Sequence, residues 1–140
     1  MKQELVKNWM NSNVITISPD TALPDAHRLM TENRIRRLPV LDNGKLVGIV
    51  TLGDVREAEP SNATSLSIWE LNYLLSRLPI AEIMTEAPQT VGQDATVGEA
   101  AHIMMTHKVS GLPVVDNAGI IVGIITESDI FRMVAQEWQS

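Results

Sequence analysis

Leu46-Val47-Gly48-Ile49-Val50-Thr51-Leu52-Gly53-Asp54 reads as a buried strand that runs directly into the first turn of a helix. Ile121-Val122-Gly123-Ile124-Ile125-Thr126-Glu127-Ser128-Asp129 repeats it. Working outward, Met10, Asp20, Pro39 and Val40 return as Met84, Asp94, Pro113 and Val114, each 74 positions later. Beyond the turns Asp42-Asn43-Gly44 and Asp116-Asn117-Ala118-Gly119 the offset is 75, as Gly48 and Gly123 show, so one extra turn residue explains the change. Identities at both core and punctuation positions mark two copies of one supersecondary unit.

Each copy reads strand, helix, strand, strand, helix. Val14-Ile15-Thr16-Ile17 is a short β-rich run closed by Ser18-Pro19-Asp20. A helix is expected over residues 22–33, with Leu23, Ala26 and Met30 on one face; its counterpart opens at Thr96-Val97-Gly98-Glu99, a capping box. A hairpin follows, Leu38 to Leu41 against Lys45 to Thr51, and Leu112 to Val115 against Ile120 to Thr126 repeats it. Pro39 and Pro113 suit edge strands, because proline donates nothing to a ladder. The closing helices start near Thr51 and Thr126, the second carrying Ile130, Phe131, Val134 and Trp138 towards a core or a partner. A three-stranded sheet with helices on one side leaves a bare face that the other copy is suited to cover. The expected fold is therefore α/β (α+β): two βαββα repeats packed sheet to sheet with pseudo-twofold symmetry. The repeats are expected at 1–58 and 79–140, with a connector at 59–78. In that connector residues 59–65 are loop-like, and Ser67-Ile68-Trp69-Glu70 caps a short helix. Ile68, Leu71, Leu75 and Leu78 share one of its faces and Trp69 and Tyr73 a neighbouring one, more apolar area than a tether needs.

Composition excludes several functions. The 140 residues are 44% hydrophobic and 20% charged, with a net charge of −6. An acidic chain is poorly suited to displacing counterions from DNA or RNA, so neither is expected as the main partner. No apolar run approaches bilayer length, and the first residues lack the apolar region of a secretory signal, so a cytoplasmic protein without a membrane partner is expected. With no cysteine there is neither a disulfide framework nor a thiolate metal site. His27, His102 and His107 are scattered, and the last two are off the i, i+4 spacing of a helical metal pair. The seven methionines read as adaptable packing. No phosphate-binding Gly-rich loop, nucleophile elbow or acid/base pair occurs, so no catalytic residue, no bound metal and no enzyme activity are expected.

The doubled pattern of Met, short strand, helix, apolar-Pro-Val, then Gly-apolar-apolar-Thr-x-x-Asp resembles the CBS-domain pair, or Bateman module, over nearly the whole chain. By themselves, Thr51 with Asp54 and Thr126 with Asp129 also fit plain N-capping with an acid in the first turn. The two uses are compatible. A helix N-terminus favours phosphate, a hydroxyl adds a hydrogen bond, and a carboxylate accepts both hydrogens of a ribose diol.

The resemblance implies that each ligand cleft draws on both repeats. The stronger would join Thr126, Asp129 and Ile124 to Asn13, Val14, Ile35, Arg36, Arg37 and Pro39. The weaker would join Thr51, Asp54 and Ile49 to Ala87, Pro88, Val109, Ser110, Gly111 and Pro113. Arg36 and Arg37 stand where similar proteins often keep basic residues for phosphates, and arginine grips phosphate oxygens in two-pronged fashion. The function so implied is a regulatory module sensing adenosine nucleotides (AMP, ADP or ATP), requiring no cofactor, forming a homodimer, and acting on a separate protein whose identity the sequence leaves unknown. An S-adenosylmethionine binder and a ligand-free interaction module are the alternatives.

Overall fold

The computed structural model describes residues 4–59 and 66–139. Its helices are α1 (Leu23–Asn33), α2 (Leu52–Ala58), α3 (Ile68–Ser76), α4 (Val97–His107) and α5 (Glu127–Gln139). Its strands are β1 (Arg37–Asp42), β2 (Lys45–Thr51), β3 (Thr85–Glu86), β4 (Val91–Gly92), β5 (Gly111–Val115) and β6 (Ile121–Thr126), with 3₁₀ turns at Val6–Asn8 and Ile80–Glu82. The class is mixed α+β, with two three-stranded sheets ordered β1-β2-β3 and β4-β5-β6. The expected loop over residues 60–65 and the side chain of Trp138 lie outside the described residues.

The chain divides into two compact units, and the division crosses the repeats. The first unit is Ile15–Ala87; the second joins the segment ending at Val14 to the segment beginning at Pro88. Each unit therefore borrows the lead-in of the other repeat. In the first, β3 lies antiparallel on β2, pairing Ile49 with Thr85. In the second, Asn11 makes the equivalent bridge to Ile124, with reciprocal N–H···O bonds of 2.8 and 2.9 Å.

Glycine permits this. A Cβ on Gly48 would sit 2.5 Å from Met84 Sδ and 3.0 Å from the Thr85 carbonyl oxygen; one on Gly123 would sit 2.5 Å from Met10 Sδ and 3.1 Å from the Asn11 oxygen. The bare strand lets a neighbouring backbone and its methionine lie flat upon it. The repeated glycine and the repeated methionine are thus two halves of one contact.

The cores match position by position. Leu23, Ala26, Met30, Leu38, Val40, Val50, Ile17 and Ile80 in the first unit correspond to Val97, Ala100, Met104, Leu112, Val114, Ile125, Val91 and Val6 in the second. Val55 is the exception: its counterpart Ile130 is only partly buried, and Met133 completes the second core. Val134 packs beside Ile130, whereas Phe131 points outward at 67% exposure.

The first hairpin closes through Asn43 and Gly44, both at positive φ (51° and 82°), which is the backbone of a type I′ turn. The longer second turn is held by the Asp116 carboxylate, which accepts the N–H groups of Ala118 and Ile120 at 2.9 and 3.0 Å.

Two expectations are modified. The run Val14 to Ile17 is divided between the units, and its strand is reduced to one parallel bridge from Ile17 to Val40. Pro39 does occupy the edge strand β1, but Pro113 lies in the central strand β5. It is tolerated because β4 pairs only with Val114 and Val115, beyond the missing donor.

Candidate functional site

Each Thr-x-x-Asp sits where a central strand becomes a helix. The Asp54 N–H donates to Thr51 Oγ1 at 3.1 Å and the Thr51 N–H donates to Asp54 Oδ2 at 2.9 Å, a closed capping box at the start of α2. At the start of α5 the Thr126 N–H donates to Asp129 Oδ2 at 2.8 Å, and the Thr126 hydroxyl donates to the same oxygen at 3.2 Å. The cap is thus complete at Thr51, whereas at Thr126 the carboxylate holds the N-cap N–H while the hydroxyl donates to that carboxylate and, among the described residues, accepts no helix N–H. In both, the bond to the threonine N–H engages Oδ2 and leaves Oδ1 out of the cap.

That second oxygen distinguishes them. Asp129 Oδ1 accepts Arg132 Nη2 at 3.0 Å, and the same nitrogen donates to the Trp9 carbonyl at 3.1 Å. The guanidinium stands 5.2 Å from the Trp9 ring centroid. Glu57 and Ile83 occupy the positions equivalent to Arg132 and Trp9 in the other repeat. Sequence reasoning missed Arg132 and Trp9. The i, i+3 spacing of Asp129 and Arg132 was a signal for the pair; nothing local pointed to Trp9.

The hairpins fix what borders each motif. The Leu52 N–H donates to the Arg36 carbonyl at 2.8 Å, and Arg37 is in register with Thr51. Likewise the Glu127 N–H donates to the Ser110 carbonyl at 3.1 Å, and Gly111 is in register with Thr126. Within the first unit, Ile35, Arg36, Arg37 and Pro39 thus belong with Ile49, Thr51 and Asp54. Ala87 ends that unit, its N–H on the Val47 carbonyl at 3.3 Å and its φ at +47°. Within the second unit, Val109, Ser110, Gly111 and Pro113 belong with Ile124, Thr126 and Asp129. Asn13 joins them by donating its N–H to Asn11 Oδ1 at 2.9 Å, and Val14 and Pro88 fall in the same unit. Arg36 is exposed and Arg37 half-buried; Pro39, Gly111 and Pro113 are buried.

Chemically, each unit presents a carboxylate, a hydroxyl and a helix N-terminus at one strand end. These suit a diol and an anion respectively. The 13 residues of α5 carry a fuller dipole than the 7 of α2. No group of three or more His, Cys, Asp or Glu suited to a metal occurs among the described residues, and no described helix is long and apolar enough to cross a membrane.

The family model for the CBS domain matches the chain twice, at residues 6–61 and 80–136. The chain belongs to the CBS-domain family. A CBS domain-containing protein of Dictyostelium discoideum is 37% identical over 130 residues, covering 92% of this chain and 90% of that protein. Inosine-5'-monophosphate dehydrogenase of Korarchaeum cryptofilum is 40% identical over 125 residues; these are 89% of this chain but only 23% of the enzyme. The CBS domain pair of protein MJ0100, solved with 5'-methylthioadenosine and S-adenosyl-L-methionine, is 31% identical with a TM-score of 0.80, covering 97% of this chain and 99% of that one. CBSX2, solved with AMP, is 29% identical with a TM-score of 0.78, covering 95% and 97%.

Proposed function

We propose that this CBS pair is a regulatory module that binds an adenosine nucleotide and transmits its presence to a separate protein. The observation that carries this reading is the doubled strand-to-helix junction, with a carboxylate and a hydroxyl at each helix N-terminus, in a fold whose solved relatives hold AMP and S-adenosyl compounds. In this reading Asp129 and Asp54 receive ribose hydroxyls, and Thr126 and Thr51 turn their hydroxyls to phosphate. The Asp129 site is the stronger. Arg36 and Arg37 supply charge for the phosphates. Signalling requires that the nucleotide favour one arrangement of the protein over another.

The complex of MJ0100 favours a second reading, an S-adenosylmethionine or methylthioadenosine sensor, for which the arginine pair has no phosphate to hold. Thermal unfolding with AMP, ADP, ATP, adenosine, S-adenosylmethionine and 5'-methylthioadenosine separates the two. A ligand at a hundred times its Kd stabilises by about 2.7 kcal/mol, a shift of several degrees. Adenine nucleotides are expected to give it. A shift confined to the sulfur compounds replaces the first reading with the second, and no shift with any adenosyl compound at millimolar concentration sinks both.

A further inference from the structure

The lead-in of the second unit, residues 4–14, is fastened along its length. Near its start the Val6 and Lys7 N–H groups donate to the Ala95 and Gln93 carbonyls at 2.9 and 3.0 Å, and Lys7 Nζ reaches Asp94 Oδ1 at 3.0 Å. Near its end Asn11 bridges to Ile124, and its side chain accepts the Asn13 N–H. Between these points the Trp9 carbonyl accepts Arg132 Nη2, the nitrogen that also donates to Asp129 Oδ1. The Trp9 indole N–H donates to Glu4 Oε2 at 3.2 Å, which holds the ring beneath the guanidinium. One side chain therefore ties the Asp129 carboxylate to the segment that carries Asn13 and Val14.

Resting on the reading of Asp129 as the ribose acceptor, we propose that Arg132 is a positioning residue that couples ligand at Asp129 to the docking of the lead-in. Nη2 carries two hydrogens, one for the carboxylate and one for the Trp9 carbonyl. The Thr126 hydroxyl shares Oδ2 and can turn away, whereas Arg132 sits on Oδ1, so a diol enters without evicting the guanidinium. With Arg132 retained, a ligand that fixes Asp129 also fixes the donor on Trp9. A docked Trp9 in turn keeps Asp129 oriented for the ligand. Whatever factor the docked lead-in adds to affinity, the ligand adds to docking, because such linkage is reciprocal.

The coupling belongs to the second unit alone. Glu57 stands at the position equivalent to Arg132 and, as an ionised acid, has no hydrogen to give to a backbone carbonyl. The lead-in of the second unit thus becomes the segment that reports the ligand.

Of the three tryptophans, Trp69 and Trp138 are replaced by phenylalanine so that emission reports Trp9. AMP binding is followed by calorimetry and by Trp9 emission in this protein and in its Arg132→Ala variant. Emission is expected to change with AMP in the first. The variant should bind AMP about threefold more weakly and, even at saturation, lose at least half of that change. A merely structural arginine would alter stability and leave the ligand-dependent signal in place. Hydrogen exchange gives a second readout. AMP should slow residues 6–10 by about threefold or more with Arg132 present, and by less than half as much without it. Residues 80–84, the equivalent stretch of the first unit, should respond alike in both proteins. AMP binding without a Trp9 response, or with a response that survives Arg132→Ala, overturns the coupling but not the nucleotide reading. Calorimetry that detects neither AMP nor S-adenosylmethionine binding overturns both.

Discussion

The two motifs share a backbone and differ in how heavily their carboxylates are engaged. A carboxylate offers about four acceptor positions. Among the described residues, Asp129 commits three of them, to the Thr126 N–H, the Thr126 hydroxyl and Arg132, whereas Asp54 commits one, to the Thr51 N–H. Asp129 is oriented from both sides, and its side chain is only 16% exposed. Under the proposed function, accepting a diol requires Asp129 to release a donor, and the Thr126 hydroxyl is the one that can rotate away. A duplicated motif thus need not be duplicated in its hydrogen bonding. One carboxylate is held from both sides and the other from one, and the difference arises equally from the turn of the Thr126 hydroxyl and from Arg132 against Glu57.

The sharpest way to break the comparison is to attack the borrowed lead-ins, where the units should behave alike. Val6 and Ile80 are both 0% exposed and equivalent in the two cores. Ile80→Ala is expected to cost about 2–4 kcal/mol and Val6→Ala about 1.5–3 kcal/mol in urea denaturation. The informative result is where protection is lost. Hydrogen exchange should rise first over residues 91–137 for Val6→Ala, and over residues 17–55 for Ile80→Ala. If the change at Val6 opened residues 17–55 instead, the exchange of lead-ins would be wrong.

Next in size is nucleotide affinity. Asp129→Ala is expected to weaken AMP binding by about tenfold or more, ~1.4 kcal/mol, and Asp54→Ala by less, measured by calorimetry well below the melting point. Equal or reversed effects refute the ranking. Arg36→Ala should weaken ATP more than adenosine, since only ATP brings phosphate charge. A double-mutant cycle then decides which motif the arginine serves. The resemblance pairs it with Asp129, yet its carbonyl holds Leu52 beside Thr51. Coupling above about 0.5 kcal/mol with one aspartate and not the other settles the assignment.

Much of this was legible before any coordinates. The 74- and 75-residue offsets located the hairpins, and helical spacing found Leu23, Ala26 and Met30, which are all buried. The exchange of lead-ins was not legible. Strand propensity says that Val14 to Ile17 can extend, but not that Val14 and Ile15 go to different units, because periodicity carries no information on which sheet a segment joins. The clue lay in a glycine inside each strand, a mark of close backbone approach. The motifs were legible as far as the Thr51 cap and the bond from the Thr126 N–H to Asp129, which are local. Trp9 under Arg132 joins residues 123 positions apart, and no pattern in one sequence reveals that contact.

The smallest predicted effect bears most directly on what makes the motifs unequal. Arg132 is 51% exposed, so its ion pair with Asp129 is largely screened and counts for a few tenths of a kcal/mol. Its bond to the Trp9 carbonyl and its place over the Trp9 ring add a similar amount. Arg132→Ala should therefore lower stability by about 0.5–1 kcal/mol, whereas Glu57→Ala, on the exposed equivalent position, should stay within about 0.5 kcal/mol of wild type. Arg132→Lys separates charge from shape. Lysine keeps the charge but not the planar donor that reaches Asp129 and Trp9 together, so it should recover no more than about half the loss. Full recovery would mean that bulk charge near Asp129 is enough, and no loss in the alanine variant would mean that the second motif is buttressed no better than the first.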